Sequence, residues 1–159
     1  MNREFKDAIE NSPIIAAIKN DAELHQCLTC DSQVIFILYG DLCNIADIVD
    51  TVKSAGKIAL VHLDLIGGLN AKEIAVDFIK KYTRADGIIS TRPQLIRHAK
   101  ELSLYTVMRF FVIDSMAYDN IEKQLHAVRP DFIEILPALM PKVISRIRDL
   151  SPVPVIAGG

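Results

Sequence analysis

Four side chains that could bind a ligand lie in otherwise apolar stretches of the sequence: His62, Asp64, Arg109 and Glu134. Carboxylates accept hydrogen bonds from hydroxyl groups, and a guanidinium can hold a phosphate or carboxylate through two parallel bonds. An imidazole can donate to an anion or respond to pH. Facing one pocket, the four groups would recognise a small polyol phosphate. The alternative is an internal ion-pair layer in which Arg109 neutralises Glu134 or Asp64, because buried charges need partners in either case.

The stretch 58–65 indicates how these groups could reach one pocket. Side chains alternate along a strand, so Leu60, His62 and Asp64 share a face, while the opposite face is wholly apolar. A strand that is apolar on both faces is typical of a parallel sheet covered by helices, in which ligands bind at the carboxyl ends of the strands. The same alternation predicts inward-facing residues in two later strands, namely Tyr105, Val107, Arg109, Phe132 and Glu134.

Predicted strands and helices alternate along the whole chain with short connections. A helix is expected at 1–11, and strands are expected at 13–18, 34–39, 58–65, 86–90, 104–113, 132–136 and 153–157. This order of βα units favours a (β/α)8 barrel of the α/β class, with a doubly wound sheet as the alternative. We expect a single domain over 1–159. Only seven βα units are visible, so the C-terminal closing strand is expected to be missing by truncation.

Two further pairs of residues follow predicted strands and could contact an anion. Ser90 and Thr91 begin the fourth βα helix, where hydroxyl groups and a helix N-terminus could contact a phosphate; an ordinary N-cap is the alternative. Gly158 and Gly159 end the seventh strand, and phosphate-binding barrels often cradle phosphate with backbone N–H groups in that loop. A tight turn is the alternative for the glycines.

Composition restricts the classes of partner. The 159 residues are 50% hydrophobic and 24% charged, with a net charge of −2, so they have no global attraction to nucleic acid or anionic membranes. No apolar run reaches the length of a membrane span, and the expected location is cytoplasmic. Nucleic-acid binding would need a local basic surface. Two sets of basic residues could provide one, although solvated helix faces explain both: Arg92, Arg97, His98 and Lys100, and Lys142, Arg146 and Arg148.

The three cysteines do not predict a metal site or a disulfide framework. Cys27 and Cys30 form a CxxC motif, but a second cysteine pair or histidines at zinc-ligand spacing are missing. A thioredoxin-like motif opens a helix, whereas this one closes a predicted helix. We therefore expect two helix-packed thiols, with no metal and no cofactor.

Five segments together resemble the glycerol-3-phosphate-responsive antiterminator family. They are Pro-Ile-Ile-Ala-Ala-Ile-Lys-Asn at 13–20, Val-His-Leu-Asp-Leu-Ile at 61–66, Gly-Ile-Ile-Ser-Thr-Arg at 87–92, Phe-Ile-Glu-Ile-Leu-Pro at 132–137 and Ile-Ala-Gly-Gly at 156–159. The resemblance implies a (β/α)8 barrel that senses glycerol 3-phosphate or a similar small anion. It also implies binding to the leader messenger RNA of bacterial glycerol operons and prevention of premature transcription termination. Family members continue past the Gly-Gly pair into a final strand and helix.

Two other functions remain open at this stage. A barrel enzyme of the isomerase or lyase type could use Asp64 and Glu134 as acid and base on a small phosphorylated metabolite, with Arg109 as electrophile. No predicted strand ends in a lysine suited to such chemistry, so we assign no catalytic residue. A non-catalytic scaffold acting as a homo-oligomer is the third reading. The RNA target, the RNA-binding surface and the oligomeric state are open.

Overall fold

The structure, a computed structural model, describes residues 3–159; Met1 and Asn2 of the predicted first helix lie outside the described residues. Strands and helices alternate throughout this range. The strands are β1 (Ala16–Ile18), β2 (Val34–Ile37), β3 (Ile58–His62), β4 (Gly87–Ser90), β5 (Tyr105–Phe111), β6 (Phe132–Leu136) and β7 (Val155–Ala157). The helices are α1 (Arg3–Asn11), α2 (Asp21–Cys27), α3 (Ile45–Ser54), α4 (Glu73–Tyr82), α5 (Pro93–Glu101), α6 (Ser115–Val128) and α7 (Pro141–Leu150).

All strand pairings are parallel, and the strand order across the sheet follows the chain from β1 to β7. A doubly wound sheet reverses its order at a switch point, so this order excludes that alternative. The sheet curls into a half-barrel with helices outside, which confirms the predicted α/β barrel-type fold. Within residues 3–159 the sheet ends at β1 and β7, which do not pair with each other.

Alternation along the strands produces two apolar layers. Inward-facing side chains fill the barrel, including Phe36, Leu60, Ile89, Val107 and Phe132. Outward-facing side chains pack against the helices, including Ile35, Val61, Ile88, Met108 and Ile133. Each fully buried side chain of this kind contributes roughly 1.5–3 kcal/mol of transfer free energy. Both faces of the sheet therefore hold the strands in one register.

Helix α1 covers the amino-terminal end of the barrel. Its Phe5 is fully buried, stacks on Tyr105 at a centroid distance of 4.6 Å and meets the edge of Phe132 at 5.0 Å. Ala8 from the next turn is buried against the same inner layer. Helix α1 thus closes the barrel at the amino-terminal end of its strands, and the mouth at the carboxyl end stays accessible.

Some element boundaries differ from those predicted. β1 begins at Ala16 and not at Pro13, because pairing with β2 starts at Ala16 and proline cannot donate to the ladder. Asn20 caps α2 by accepting from the Glu23 N–H. Arg92, and not Thr91, precedes α5. α6, with 14 residues, is the longest described helix. None of the described helices is long and apolar enough to span a membrane.

Replacing Phe5 should test whether α1 closes the barrel. We expect Phe5→Ala to lower the free energy of unfolding by about 3 kcal/mol, because it leaves a cavity against two aromatic rings. Urea unfolding followed by circular dichroism measures this loss. Phe111→Ala is the matched control, since Phe111 is 52% exposed, and should cost below about 1 kcal/mol. Equal losses for the two variants would contradict the role assigned to α1.

Candidate functional site

Three polar side chains form a buried layer at the carboxyl end of the inner barrel. His62 ends β3, Arg109 lies in β5 and Glu134 lies in β6, and they are 2%, 8% and 5% exposed. Each stands two positions after an inward-facing apolar residue, so strand alternation turns it into the barrel. The inward orientation predicted for these three residues is observed. We call His62, Arg109 and Glu134 the polar layer.

Arg109 and Glu134 are an ion pair. They stand opposite each other in the register of β5 and β6, and the Arg109 Nε donates to Glu134 Oε2 at 2.6 Å. Among residues 3–159, no acceptor takes a hydrogen bond from either Nη atom of Arg109. The internal ion pair considered from the sequence is therefore present, but it leaves part of the guanidinium free for a ligand. Arg109 does not pair with Asp64.

Gly158 fixes the position of the Glu134 carboxylate. A Cβ at residue 158 would overlap Glu134 Oε1 and lie 2.9 Å from Glu134 Cδ, so a larger residue would displace the carboxylate. The Gly158 N–H donates to Ile135 O at 3.0 Å, within the β6–β7 ladder. That N–H is consequently engaged within the sheet, and a role of Gly158 and Gly159 in binding a phosphate stays a prediction. Gly159 follows with a positive φ of 134°.

Asp64 lies in a 3-10 turn after β3 and holds the neighbouring β4–α5 connection. Its Oδ2 accepts from Ser90 Oγ at 3.0 Å and from the Thr91 N–H at 2.9 Å, and its Oδ1 accepts from Arg92 Nε at 3.0 Å. The structure thus brings Asp64, Ser90 and Thr91 together, but as partners of one another. Their role as ligand contacts stays a prediction.

The orientation of Ser90 differs from that of the polar layer. Ser90 pairs with Met108, which faces the helices, and its side chain is buried outside the barrel. Arg92, which the sequence suggested as part of a basic surface, is instead the third partner of Asp64. The sequence shows that Arg92 follows Ser90 by two residues, which places it near the mouth of the barrel. It does not predict the 3-10 turn that brings Asp64 within hydrogen-bond distance of Arg92.

His62 is the buried polar group without a full set of partners. Its Nδ1 has no hydrogen-bond partner among the described residues, and the nearest Asp64 oxygen is 3.8 Å away, beyond hydrogen-bond distance. Burial and then the positive charge of Arg109 lower the pKa of His62 to about 4, against the opposing effect of Asp64. The imidazole is neutral near pH 7 and offers a ligand one unpartnered nitrogen.

A cavity of about 500 Å³ opens between β1 and β7 and reaches Glu134 of the polar layer, whereas His62 and Arg109 are not part of its lining. Glu134, Gly158 and Gly159 line it together with apolar side chains that include Phe36 and Phe132. Its volume is within the range of small-molecule sites, which combine apolar walls with a few polar groups. Among residues 3–159 no cluster of His, Cys, Asp and Glu could hold a metal ion.

Comparisons with known proteins agree with this architecture. The family model described as glycerol-3-phosphate responsive antiterminator matches residues 14–159. The uncharacterized protein YgcP of Escherichia coli (strain K12) is 41% identical over 151 residues, 95% of this chain and 79% of that protein.

Two solved structures of glycerol uptake operon antiterminator proteins are also similar to this chain. The crystal structure of a glycerol uptake operon antiterminator regulatory protein from Listeria monocytogenes has a TM-score of 0.87 at 34% identity, over 91% of this chain and 78% of that one. A glycerol uptake operon antiterminator-related protein from Thermotoga maritima has a TM-score of 0.79 at 33% identity, over 91% and 81%. A U32 peptidase has a TM-score of 0.63 at 17% identity, over 89% and 66%, and shares the fold alone.

The neutral state of His62 should make stability depend on pH. Between pH 6.5 and about 4 the unfolded chain binds a proton at this residue and the folded chain does not, so stability falls as pH falls through this window. We expect a loss on the order of 3 kcal/mol from this residue. Urea unfolding at pH 7 and pH 4.5 should show a smaller acid-induced loss for His62→Asn. His126→Asn, at an exposed histidine of α6, should behave like the unaltered protein; the prediction is wrong if all three lose equally.

Proposed function

The chain belongs to the glycerol-3-phosphate responsive antiterminator family, and on that premise we propose that it senses glycerol 3-phosphate and binds the leader of a glycerol-operon messenger RNA. Binding of the leader would prevent premature termination of transcription. The observation that carries the ligand half of the proposal is the polar layer. It presents unpartnered nitrogen atoms of His62 and Arg109 in a buried site at the carboxyl end of the strands.

The charges of the polar layer indicate which part of the ligand it would meet. Arg109 and Glu134 neutralise each other, and His62 is neutral near pH 7. A phosphate dianion placed there would be repelled by the Glu134 carboxylate. A hydroxyl group can donate to Glu134 or His62 and accept from Arg109, so each group gains a partner. We therefore place the glycerol hydroxyls against the polar layer and the phosphate farther out in the mouth.

The hydrogen bonds of Asp64 and Glu134 weigh against the enzyme alternative. Asp64 accepts three hydrogen bonds from the β4–α5 connection, and Glu134 is paired with Arg109. A general acid or base needs access to the proton that it transfers. Asp64 offers no such access while these contacts persist, and Glu134 keeps only its Oε1 for a ligand, so the arrangement supports a binding site better than a catalytic acid–base pair.

Titration with glycerol 3-phosphate should test the ligand and its orientation. We expect Glu134→Gln to weaken binding by about tenfold, because a charged acceptor for a hydroxyl is replaced by a neutral one. Isothermal calorimetry of the unaltered protein and the variant measures this ratio. Glu122→Gln, at an exposed glutamate of α6, is the matched control and should bind like the unaltered protein.

The two possible orientations of the ligand, with hydroxyls or with phosphate against Arg109, predict opposite effects of Glu134→Gln on binding. If phosphate displaced Glu134 from Arg109, removing the carboxylate charge would strengthen binding of both glycerol 3-phosphate and inorganic phosphate. Tighter binding by Glu134→Gln would therefore overturn the proposed orientation. If the folded protein shows no heat of binding with glycerol 3-phosphate at millimolar concentration, the proposal that this compound is the ligand is wrong.

Helix α7 carries the basic surface that best suits RNA. Lys142 and Arg146 are exposed, four residues apart, and make no ion pair with a described residue. Arg146 also lines a groove of about 320 Å³ with Ile113 and Tyr118, beside the barrel mouth. Single-stranded RNA is commonly held by cations for its phosphates and by aromatic or arginine planes for its bases. We propose that this surface contacts the leader.

The other basic set is largely engaged within the protein. Arg92 bonds Asp64, His98 bonds Asp77 at 2.9 Å, and Lys100 Nζ donates to the Arg129 carbonyl. These contacts hold the cations close to carboxylates or backbone. Helix α5 is therefore a weaker candidate for phosphate contacts than α7.

Salt dependence should identify the RNA surface. We expect Lys142→Ala/Arg146→Ala to reduce the slope of log K against log salt by about 1.4, because each lost contact with a single-strand phosphate reduces it by about 0.7. Gel-shift titrations with leader RNA at several salt concentrations measure the slope. Lys80→Ala/Lys81→Ala removes the same charge from α4 and should leave the slope unchanged. Equal slopes for the unaltered protein and the α7 variant would exclude this surface.

A further inference from the structure

The CxxC motif lies beside a buried lysine at the amino-terminal end of the sheet, opposite the polar layer. Lys57, just before β3, is 9% exposed. Its Nζ donates to the carbonyl oxygens of Cys30 at 2.7 Å and Ser32 at 2.8 Å. Among residues 3–159 no carboxylate lies within ion-pair distance of this ammonium. A buried charge without a counter-charge is costly.

The sulfur of Cys30 is placed to provide that counter-charge. Cys30 Sγ lies 4.0 Å from Lys57 Nζ and is only partly buried. The Cys30 thiol donates to the Cys27 carbonyl at 3.1 Å, and the adjacent ammonium would stabilise the anionic sulfur once that proton has left. The thiolate is the nucleophilic form of cysteine, so this contact distinguishes Cys30 from an inert packed thiol.

Cys27 lies one turn before Cys30, and its thiol donates to the Leu24 carbonyl at 3.1 Å. The Cys30 N–H donates to Cys27 O at 3.4 Å, which closes a four-residue turn at the end of α2. Such a turn brings the first and last Cα atoms within about 7 Å, the upper limit of disulfide geometry. Burial, reinforced by Cys30 and opposed by Lys57, raises the pKa of the Cys27 thiol. Cys27 therefore keeps its proton, as a resolving thiol does.

We propose that Cys27 and Cys30 form a peroxide-reactive dithiol in which Cys30 is the attacking thiolate and Lys57 its positioning cation. Cys30 sulfur attacks one oxygen of a hydroperoxide, the O–O bond breaks, and the leaving oxygen takes a proton to give water or an alcohol. The Cys27 thiol then attacks the resulting sulfenic acid, forms the S–S bond and releases water. The hydroperoxide is reduced by two electrons, and the two thiols supply them.

This site is independent of the proposed function, since it shares no residue with the polar layer or α7. The sequence alone favoured two packed thiols, because the motif closes a predicted helix and Lys57 lies 27 residues from Cys30 in the chain. The fold supplies the added observation by bringing the residue before β3 against the turn that follows α2.

Oxidation with hydrogen peroxide tests the proposal, with alkylation of the remaining thiols and peptide mass analysis as the readout. In the full chain the exposed Cys43 is an internal control, and Cys30 should react at least about tenfold faster than Cys43. In the Cys43→Ser protein the product should be two hydrogens lighter and should contain the Cys27–Cys30 peptide cross-link. Cys27→Ser/Cys43→Ser should instead accumulate a dimedone-reactive sulfenic acid at Cys30.

The role of Lys57 requires matched variants. Lys57→Met should slow oxidation of Cys30 by about tenfold, and Lys57→Arg should restore most of the rate. Lys53→Met removes another partly buried lysine, which pairs with Asp86, and should leave the rate unchanged. The proposal fails if Cys30 reacts no faster than Cys43, or if Lys53→Met and Lys57→Met have equal effects. Oxidation to sulfinic acid without the cross-link would also overturn it.

Discussion

The structure depends on the register of β5 against β6, which sets Arg109 opposite Glu134 inside the barrel. A slip of β5 by one residue would turn Arg109 into the helical layer and leave Glu134 inside the barrel without its partner. Because an unpaired buried charge costs several kcal/mol, the pair specifies the register more strongly than apolar packing alone. Gly158 extends the constraint to β7, since only glycine leaves room for the carboxylate. One ion pair thus relates three adjacent strands.

Carboxylates at the strand ends join β3 to β4 and β5 to β6 in a similar way. Asp86 accepts from the Ala59 N–H at 2.8 Å and pairs with Lys53. Asp131 accepts from the Thr106 N–H at 2.9 Å and from its hydroxyl at 3.0 Å. Both lie at the amino-terminal end, where barrels place stabilising residues, and Asp64 makes the equivalent link at the mouth. Arg109, Glu134 and His62 are therefore the polar side chains that face the inside of the barrel near its mouth.

The sequence predicted what strand alternation controls. The bounds of β6 and the inward side of His62, Arg109 and Glu134 all follow from local pattern. It did not predict what depends on contacts between loops. Asp64 was assigned to the inner face because the strand was continued through it, whereas the chain enters a 3-10 turn after His62 and the alternation ends there.

The partners of Gly158 and Cys30 also come from distant parts of the chain, and local sequence pattern does not predict them. Gly158 was expected to serve a phosphate because its position after the seventh strand was visible, but the neighbour that requires a glycine, Glu134, comes from another strand. Lys57 and Cys30 are 27 residues apart in the chain, and no periodicity relates them. Short-range pattern therefore predicts which face a residue occupies, while the partner on that face is decided by the sheet.

Charge balance within the polar layer finally bears on what the mouth can select. A site built for phosphate alone gains from uncompensated cations, because each one attracts the dianion. Here the one inward-facing cation, Arg109, carries its own carboxylate at 2.6 Å, and burial beside Arg109 keeps His62 neutral. Such a layer distinguishes ligands by the geometry of their hydroxyl groups, since a buried donor or acceptor that stays unpaired costs about 1–3 kcal/mol. Selectivity for a phosphorylated polyol over phosphate itself would then come from the buried hydroxyl contacts, with the phosphate held in the more exposed part of the mouth.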